Sequence, residues 1–448
     1  MIDEQQDKYI VAVVGAGPAG LYAAKQLAAE GVRVALINRD IKPGGLAEYG
    51  IYHSKYKMKE GLRKQFRRIL ENPEISYYGN VVVGKDSGLS LDDLYNLGFQ
   101  AIMVTVGAQG TKWLGLPGED LKGVYHAKDI VYHYNKLPPF STQEFSIGKR
   151  VALIGVGNVM IDIAHWVIRD MKADQVVAVA RRGPAEVKFT KKEMENVARN
   201  LDLEALDEEI TRVSERMKAV DQDPQVAKDF FLSALPKAKE PVSESRFLFE
   251  FLSSPCRILG DESGQVCGLE VDDTELVPRN GDTKAQRIGT KRILDVDTVV
   301  FCIGDRVDEA FGLPVQWNEY VKNPDPKFPV DYCSYEAYDP EVDKPVEGVF
   351  FAGWSREASS GLVGVARKDG GCGANALLQH LQTKSPLADT EKTMEELDEI
   401  LEKNFVSVVS KEDVQRLEAV EKAKAQELGL EEYKMKTNEE MLAAISGE

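Results

Sequence analysis

The sequence predicts an α/β protein built on two three-layer, doubly wound units and closed by a helical tail. Three observations carry this. A strand, a glycine-rich turn, a helix and a second strand occur in that order twice; buried-strand patterns recur later in the chain; and the last stretch is amphipathic helix dense in Glu and Lys. With 448 residues the chain is long enough for two or three domains. A hydrophobic fraction of 43% and a charged fraction of 29% are those of an ordinary globular protein.

In chain order, residues 9–14 are a β-branched run ending in Gly15-Ala16-Gly17-Pro18-Ala19-Gly20. Helical spacing follows over 21–30 and a second strand over 32–37. Residues 101–106 are an apolar strand leading through Gly107-Ala108 and Leu116-Pro117-Gly118 to a crossover. The succession then repeats: strand 150–154, turn Gly155-Val156-Gly157-Asn158, helix 159–169, strand 175–180. Residues 191–245 read as a helical excursion inside the second unit. Residues 297–303 and 348–353 have the pattern of buried strands, and 385–448 form the tail.

Each turn has the chemistry of a dinucleotide site of Rossmann type. Gly15 allows the tight turn, Gly17 lets the backbone approach a pyrophosphate, and Gly20 lets the helix pack on the strand. The helix N-terminus offers free N–H groups and a positive dipole end. At the end of the second strand, where a carboxylate would take ribose hydroxyls, stands the neutral Asn38, followed by Arg39 and Asp40. In the second unit Met160 replaces the third glycine, and the strand ends in Arg181-Arg182. Two guanidinium groups there match a 2′-phosphate in charge and in fork geometry, so the second nucleotide is expected to be NADP(H).

Several segments resemble the adrenodoxin reductase type of ferredoxin–NADP reductase, from about Tyr9 to about Leu381. They are Gly155-Val156-Gly157-Asn158-Val159 with Asp162, Arg181-Arg182-Gly183-Pro184 with Phe189-Thr190, Arg246-Phe247 before Ser254-Pro255, and Gly348-Val349-Phe350-Phe351-Ala352-Gly353-Trp354. The resemblance implies FAD in the first unit, with Ala19, Asn38, Leu46 and Val83 along it and Trp354, Gly361, Leu362 and Val363 around the flavin ring. It implies NADPH in the second unit, held by Gly155, Asn158, Val159, Arg181, Arg182 and Glu193, with Gly361 near the nicotinamide. It further implies that the NADP domain, 109–330, is inserted between two parts of the FAD domain, 1–108 and 331–384, ahead of the helical extension 385–448. In two places the chain departs from the animal members. It has Tyr52-His53-Ser54-Lys55 where they carry an Asp-His pair, and Pro224-Gln225-Val226-Ala227-Lys228-Asp229-Phe230-Phe231 where they carry an Arg-rich docking helix.

The expected function is hydride transfer from NADPH to FAD, followed by single-electron transfer to a ferredoxin-like iron–sulfur protein. Two other readings stand beside it, a dehydrogenase subunit feeding a larger complex and a non-catalytic flavin-binding regulator. Cys256, Cys267, Cys302, Cys333 and Cys372 form no Cys-x-x-Cys pair, which argues against a disulfide reductase and against a metal site. A net charge of -17 argues against nucleic-acid binding, and no apolar stretch is long enough to span a membrane. The first eight residues lack the pattern of a secretory signal, so a cytoplasmic location is expected. For the acidic partner, the candidate dock is the basic segment 55–68, with Lys55, Lys57, Lys59, Arg63, Lys64, Arg67 and Arg68 against Glu60.

Overall fold

The computed structural model describes residues 7–279 and 281–447, and the chain divides into two compact units. The first holds the described residues up to Thr111, then Tyr132–Thr142 and everything described from Gly304 on; the second holds Lys112–Val131 and Gln143–Ile303. Residues 1–6, part of the segment expected to lack a secretory signal, lie outside the described residues.

The first unit is centred on a six-stranded sheet in the order Glu336–Asp339, Lys344–Phe351, Ala101–Val104, Ile10–Val14, Arg33–Ile37, Ile75–Tyr78. All neighbours are parallel except the edge strand Glu336–Asp339. Strand Ile10–Val14 is buried on both faces, as a central parallel strand must be. Val11 and Val13 enter one core with Leu21, Ala24 and Leu27 of helix Pro18–Ala29 and Leu377 of helix Val363–Leu381. Ile10, Ala12 and Val14 enter the other, with Leu94, Leu397 and Leu401.

The tail is therefore part of this unit's interior. Helix Glu391–Asn404 contributes Met394, Leu397 and Leu401 to one core, and helix Lys411–Glu427 contributes Val414 and Leu417 to the other. Residues 304–330, expected in the inserted domain, also fold here. Val307, Phe311, Leu313 and Tyr320 are buried against the same sheet, and that burial sets the boundary at Ile303.

The second unit has a five-stranded parallel sheet in the order Val124–His126, Thr298–Phe301, Arg150–Ile154, Gln175–Val179, Arg246–Glu250. One face is covered by an antiparallel sheet of Ser253–Gly260, Val266–Arg279 and Asp282–Leu294, through Ile258, Leu269 and Val271 against Ile154, Val179 and Phe301. The expected helical excursion contains helices Leu203–Lys218 and Pro224–Leu232, both with Asp caps. Phe231 of the latter packs on Phe249 at 5.0 Å between ring centres. No helix among the described residues is long and apolar enough to cross a membrane.

Two candidate nucleotide-binding sites

The first turn sits between strand Ile10–Val14 and helix Pro18–Ala29, with Pro18 at the first helical position, where its missing N–H costs nothing. Gly15 has φ +103° and a Cβ there would lie 2.5 Å from the Thr105 carbonyl oxygen, so the tight turn requires glycine. A Cβ on Gly20 would reach 1.9 Å from the Gly15 carbonyl oxygen. At Gly17 the added atom meets nothing within 4 Å. Open space at the second glycine, before a helix N-terminus, is what a pyrophosphate needs. Gly44-Gly45 forms the opposite wall, with Gly45 at φ +49° and its hypothetical Cβ 3.1 Å from the Gly17 Cα. The dipeptide was visible in the sequence as a turn signal, but nothing there paired it with Gly17.

Asn38 lies where expected, at the end of strand Arg33–Ile37, but its amide is spent on the protein. Its Oδ1 accepts from Ala16 N at 3.0 Å, and its Nδ2 donates to the carbonyls of Asp40 and Lys42 and to the Tyr77 hydroxyl. Asn38 thus holds the glycine turn in shape. A carboxylate could accept from Ala16 but could not donate to two carbonyls, which accounts for the neutral residue.

Ala19 is buried against helix Val363–Leu381: a Cβ on Gly370 would meet the Ala19 carbonyl oxygen at 2.2 Å. Leu46 opens the short helix Leu46–Tyr49, and Val83 is buried among Val81 and Leu89. Trp354 lies in the helical turn Gly353–Ser355 and donates from Nε1 to the Ser360 carbonyl at 2.8 Å. It therefore fixes the loop that delivers Gly361, at φ +74°, and Leu362 to the N-terminus of helix Val363–Leu381. Leu362 is 69% exposed, an apolar side chain standing beside backbone N–H groups. Asp369, not singled out in the sequence, anchors this turn. It accepts from Gly353 N at 2.7 Å, from the Tyr335 hydroxyl at 3.2 Å and from the Arg356 guanidinium at 2.6 Å.

The second turn repeats the first. Gly155 has φ +120° and a Cβ there would meet the Cys302 carbonyl oxygen at 2.4 Å, whereas Gly157 again faces open space. Met160, at the place of Gly20, is fully buried, so the second turn accommodates a side chain where the first is too tight for a Cβ. Val159 is 43% exposed at the start of the helix. Asn158 Oδ1 accepts from Thr190 N at 2.9 Å, tying the turn to the segment that carries Glu193. Glu193 follows the Thr190 cap and accepts from Asn196 Nδ2 at 3.2 Å. Arg181 and Arg182 lie side by side just after strand Gln175–Val179, Arg181 exposed and Arg182 half-buried.

The basic segment 55–68 is not a free surface. It lies mostly in helix Tyr56–Leu70, and its inner face is covered by the tail. Lys59, 1% exposed, pairs with Glu432 at 2.8 Å; Arg63 pairs with Glu48 at 2.6 Å and Glu432 at 2.5 Å; Arg67 pairs with Glu418 at 2.6 Å. Lys434, from the tail, reaches Glu48 at 2.7 Å, and Lys42 pairs with Glu421 at 2.6 Å. Burial alone would raise the Glu48 carboxyl, but Lys434, Lys42 and Arg63 hold it well below the usual carboxylate range. Burial likewise lowers Lys42, yet Glu421 and Glu48 push it up to about 12. Lys434 goes the other way: burial outweighs Glu48 and lowers it to about 8. Of the segment's basic residues, Lys57, Lys64 and Arg68 are exposed. Charge counting along the sequence could not reveal this, because two of the neutralising carboxylates, Glu418 and Glu432, lie more than 350 positions away.

Fold and turns together define an α/β protein of the two-dinucleotide type. Residues 9–229 match the pyridine nucleotide-disulphide oxidoreductase family model. The chain is 29% identical to the NADPH-ferredoxin reductase FprA of Mycobacterium leprae, with 85% of each chain covered. It is 27% identical to the mitochondrial NADPH:adrenodoxin oxidoreductase of Arabidopsis thaliana, over 97% of this chain and 95% of that one. A solved structure of Mycobacterium tuberculosis FprA in complex with NADPH superposes with a TM-score of 0.80 at 25% identity, covering 98% of this chain and all of that one. The chain is thus a homologue of these reductases, as the motifs around Arg181 and Trp354 indicated.

Proposed function

We propose that this protein is an FAD-dependent oxidoreductase that takes hydride from NADPH and delivers single electrons to a ferredoxin-like iron–sulfur protein. The observation that carries the reading is the pair of matching turns, each with an open second glycine before a helix N-terminus, the second followed by Arg181-Arg182. The relatives named above, an NADPH-ferredoxin reductase and an NADPH:adrenodoxin oxidoreductase, support it.

In this reading the first unit is the FAD-binding domain. Gly15, Gly17, Ala19 and Gly20 give the pyrophosphate its approach, opposite Gly45, and Asn38 keeps that turn rigid. Leu46 and Val83 lie along the cofactor. Trp354, Gly361, Leu362 and Val363 border the flavin ring, and the N–H groups of helix Val363–Leu381 offer a positive dipole end to negative charge. FAD, when bound, supplies a ring that accepts hydride and passes electrons on one at a time. The second unit is the NADP-binding domain, with Gly155, Gly157, Asn158, Val159 and Glu193 along the dinucleotide and Arg181-Arg182 at the 2′-phosphate.

The location is cytoplasmic in this proposal. The dock for the acidic carrier narrows to the solvent face of helix Tyr56–Leu70, with Lys57, Lys64 and Arg68, since Lys59, Arg63 and Arg67 are already paired with carboxylates. The test is an anaerobic titration at the flavin band. NADPH should bleach it far more readily than NADH, and addition of a ferredoxin should restore it. A colourless protein that FAD cannot reconstitute, or a flavin that NADPH leaves oxidised, would overturn the reading. For the dock, reversing Lys57, Lys64 and Arg68 to Glu should slow ferredoxin reduction and spare NADPH oxidation by a small acceptor. An unchanged ferredoxin rate would exclude this face.

A further inference from the structure

The Arg181-Arg182 pair is not two equivalent cations. The backbone of both is fixed: the Arg181 carbonyl accepts from Thr274 Oγ1 at 2.7 Å and the Arg182 carbonyl from Leu252 N at 3.1 Å. Among the described residues no carboxylate pairs with Arg181. Arg182 has two such neighbours, Glu186 at 3.6 Å and Asp282 at 3.4 Å.

Those two carboxylates differ in how they are held. Glu186, with a side chain only 10% exposed, accepts from Gly183 N at 3.1 Å through Oε2 and from the Thr283 hydroxyl through Oε1. It closes the Arg182-Gly183-Pro184 turn on itself and cannot leave without breaking that turn. Asp282 is 72% exposed at the start of strand Asp282–Leu294, and among the described residues its hydrogen bonds besides that from Arg182 come down to the N–H of Thr283, at 2.8 Å. It can swing away.

We propose that Glu186 is a positioning residue that presents Arg182, and that Asp282 is a competing carboxylate which a 2′-phosphate displaces from Arg182. The proposal rests on the reading of this unit as the NADP(H) site. A guanidinium has five N–H donors, so a phosphate arriving at Arg181 can recruit Arg182 as well, while Glu186 stays in place. Asp282 opposes this twice, by occupying part of the Arg182 fork and by placing a negative charge beside an incoming dianion. The discrimination between NADP(H) and NAD(H) is then set by the hairpin of Val266–Arg279 and Asp282–Leu294 as well as by the arginines, and Asp282 holds it below its maximum.

Calorimetric titration of the flavin-loaded protein with NADP⁺, NAD⁺ and adenosine 2′,5′-bisphosphate tests this without turnover. Asp282→Asn should bind NADP⁺ and the bisphosphate about two- to five-fold more tightly at low salt, the range of an exposed ion pair, and leave NAD⁺ unchanged. The gain should shrink as salt rises. Glu186→Gln should weaken NADP⁺ by about five-fold and leave NAD⁺ unchanged. An Asp282→Asn protein with unchanged or weaker NADP⁺ binding, beside a wild type that prefers NADP⁺, would overturn the proposal alone. A wild type with no preference would overturn the underlying reading and the proposal with it.

Discussion

Replacing Glu48 by Gln keeps the side chain's volume and removes one charge from the interior of the first unit. Glu48 accepts a bidentate contact from Arg63 Nε and Nη2, each at 2.6 Å, and is also paired with Lys434 at 2.7 Å and Lys42 at 3.6 Å. The inner network has cations at Lys42, Lys59, Arg63 and Lys434 and anions at Glu48, Glu421 and Glu432, so it already holds one cation in excess. Removing one partner from a buried, hydrogen-bonded pair costs about 3–5 kcal/mol. Lys434 limits the cost here: already lowered to about 8, it loses its proton near neutral pH once Glu48 is gone. The expected loss is therefore at the lower end, about 3 kcal/mol. Urea unfolding followed by circular dichroism measures it in the transition of the first unit. The double variant Glu48→Gln/Lys434→Met should lose less than the sum of the single variants, because the second change removes the cation that the first strands. A loss below about 1 kcal/mol, or strict additivity, would refute the view of this network as a coupled buried unit. The short helix carrying Glu48 directly follows Gly45, so the variant should also release flavin more readily.

The same network predicts a pH dependence. The folded-state value of Lys434 lies below its ordinary 10.5, so its contribution rises as pH climbs from about 8 to 10.5, and Lys434→Met should lack that rise in urea midpoints. Glu48 is shifted down, so its contribution is present above the ordinary carboxylate range and is lost as acid protonates it; Glu48→Gln should flatten the acid limb. Gly17→Val should abolish flavin binding with little loss of fold, since its side chain enters open space, whereas Gly15→Ala should destabilise the protein itself; equal effects on both properties would contradict the assigned roles. Trp354→Phe should keep the packing but lose the bond to Ser360, altering the bound-flavin spectrum more than the melting temperature. Arg181→Ala should raise the KM for NADPH by about 10-fold or more and leave that for NADH nearly unchanged, which steady-state kinetics with both cofactors would check.

The two nucleotide units are legible in the sequence, because their signals are local. A β-branched run, glycines at fixed offsets and a 3.6-residue period lie within some thirty residues and need no distant partner to be read. The Arg181-Arg182 ending and the Gly353-Trp354 turn were legible for the same reason. Tertiary structure alone decided whatever depends on residues far apart in the chain. The excess of cations over 55–68 looks like a free basic face until Glu418 and Glu432 fold onto it, and 304–330 looks like part of the second unit until Val307, Phe311 and Tyr320 are buried in the first. The neutral side chain at Asn38 is legible in the sequence, but only the fold shows its amide bonded to Ala16, Asp40 and Lys42. Charge and hydrogen-bonding capacity are properties of a residue, but whether they remain available to a ligand depends on which other groups the fold brings within about 3 Å.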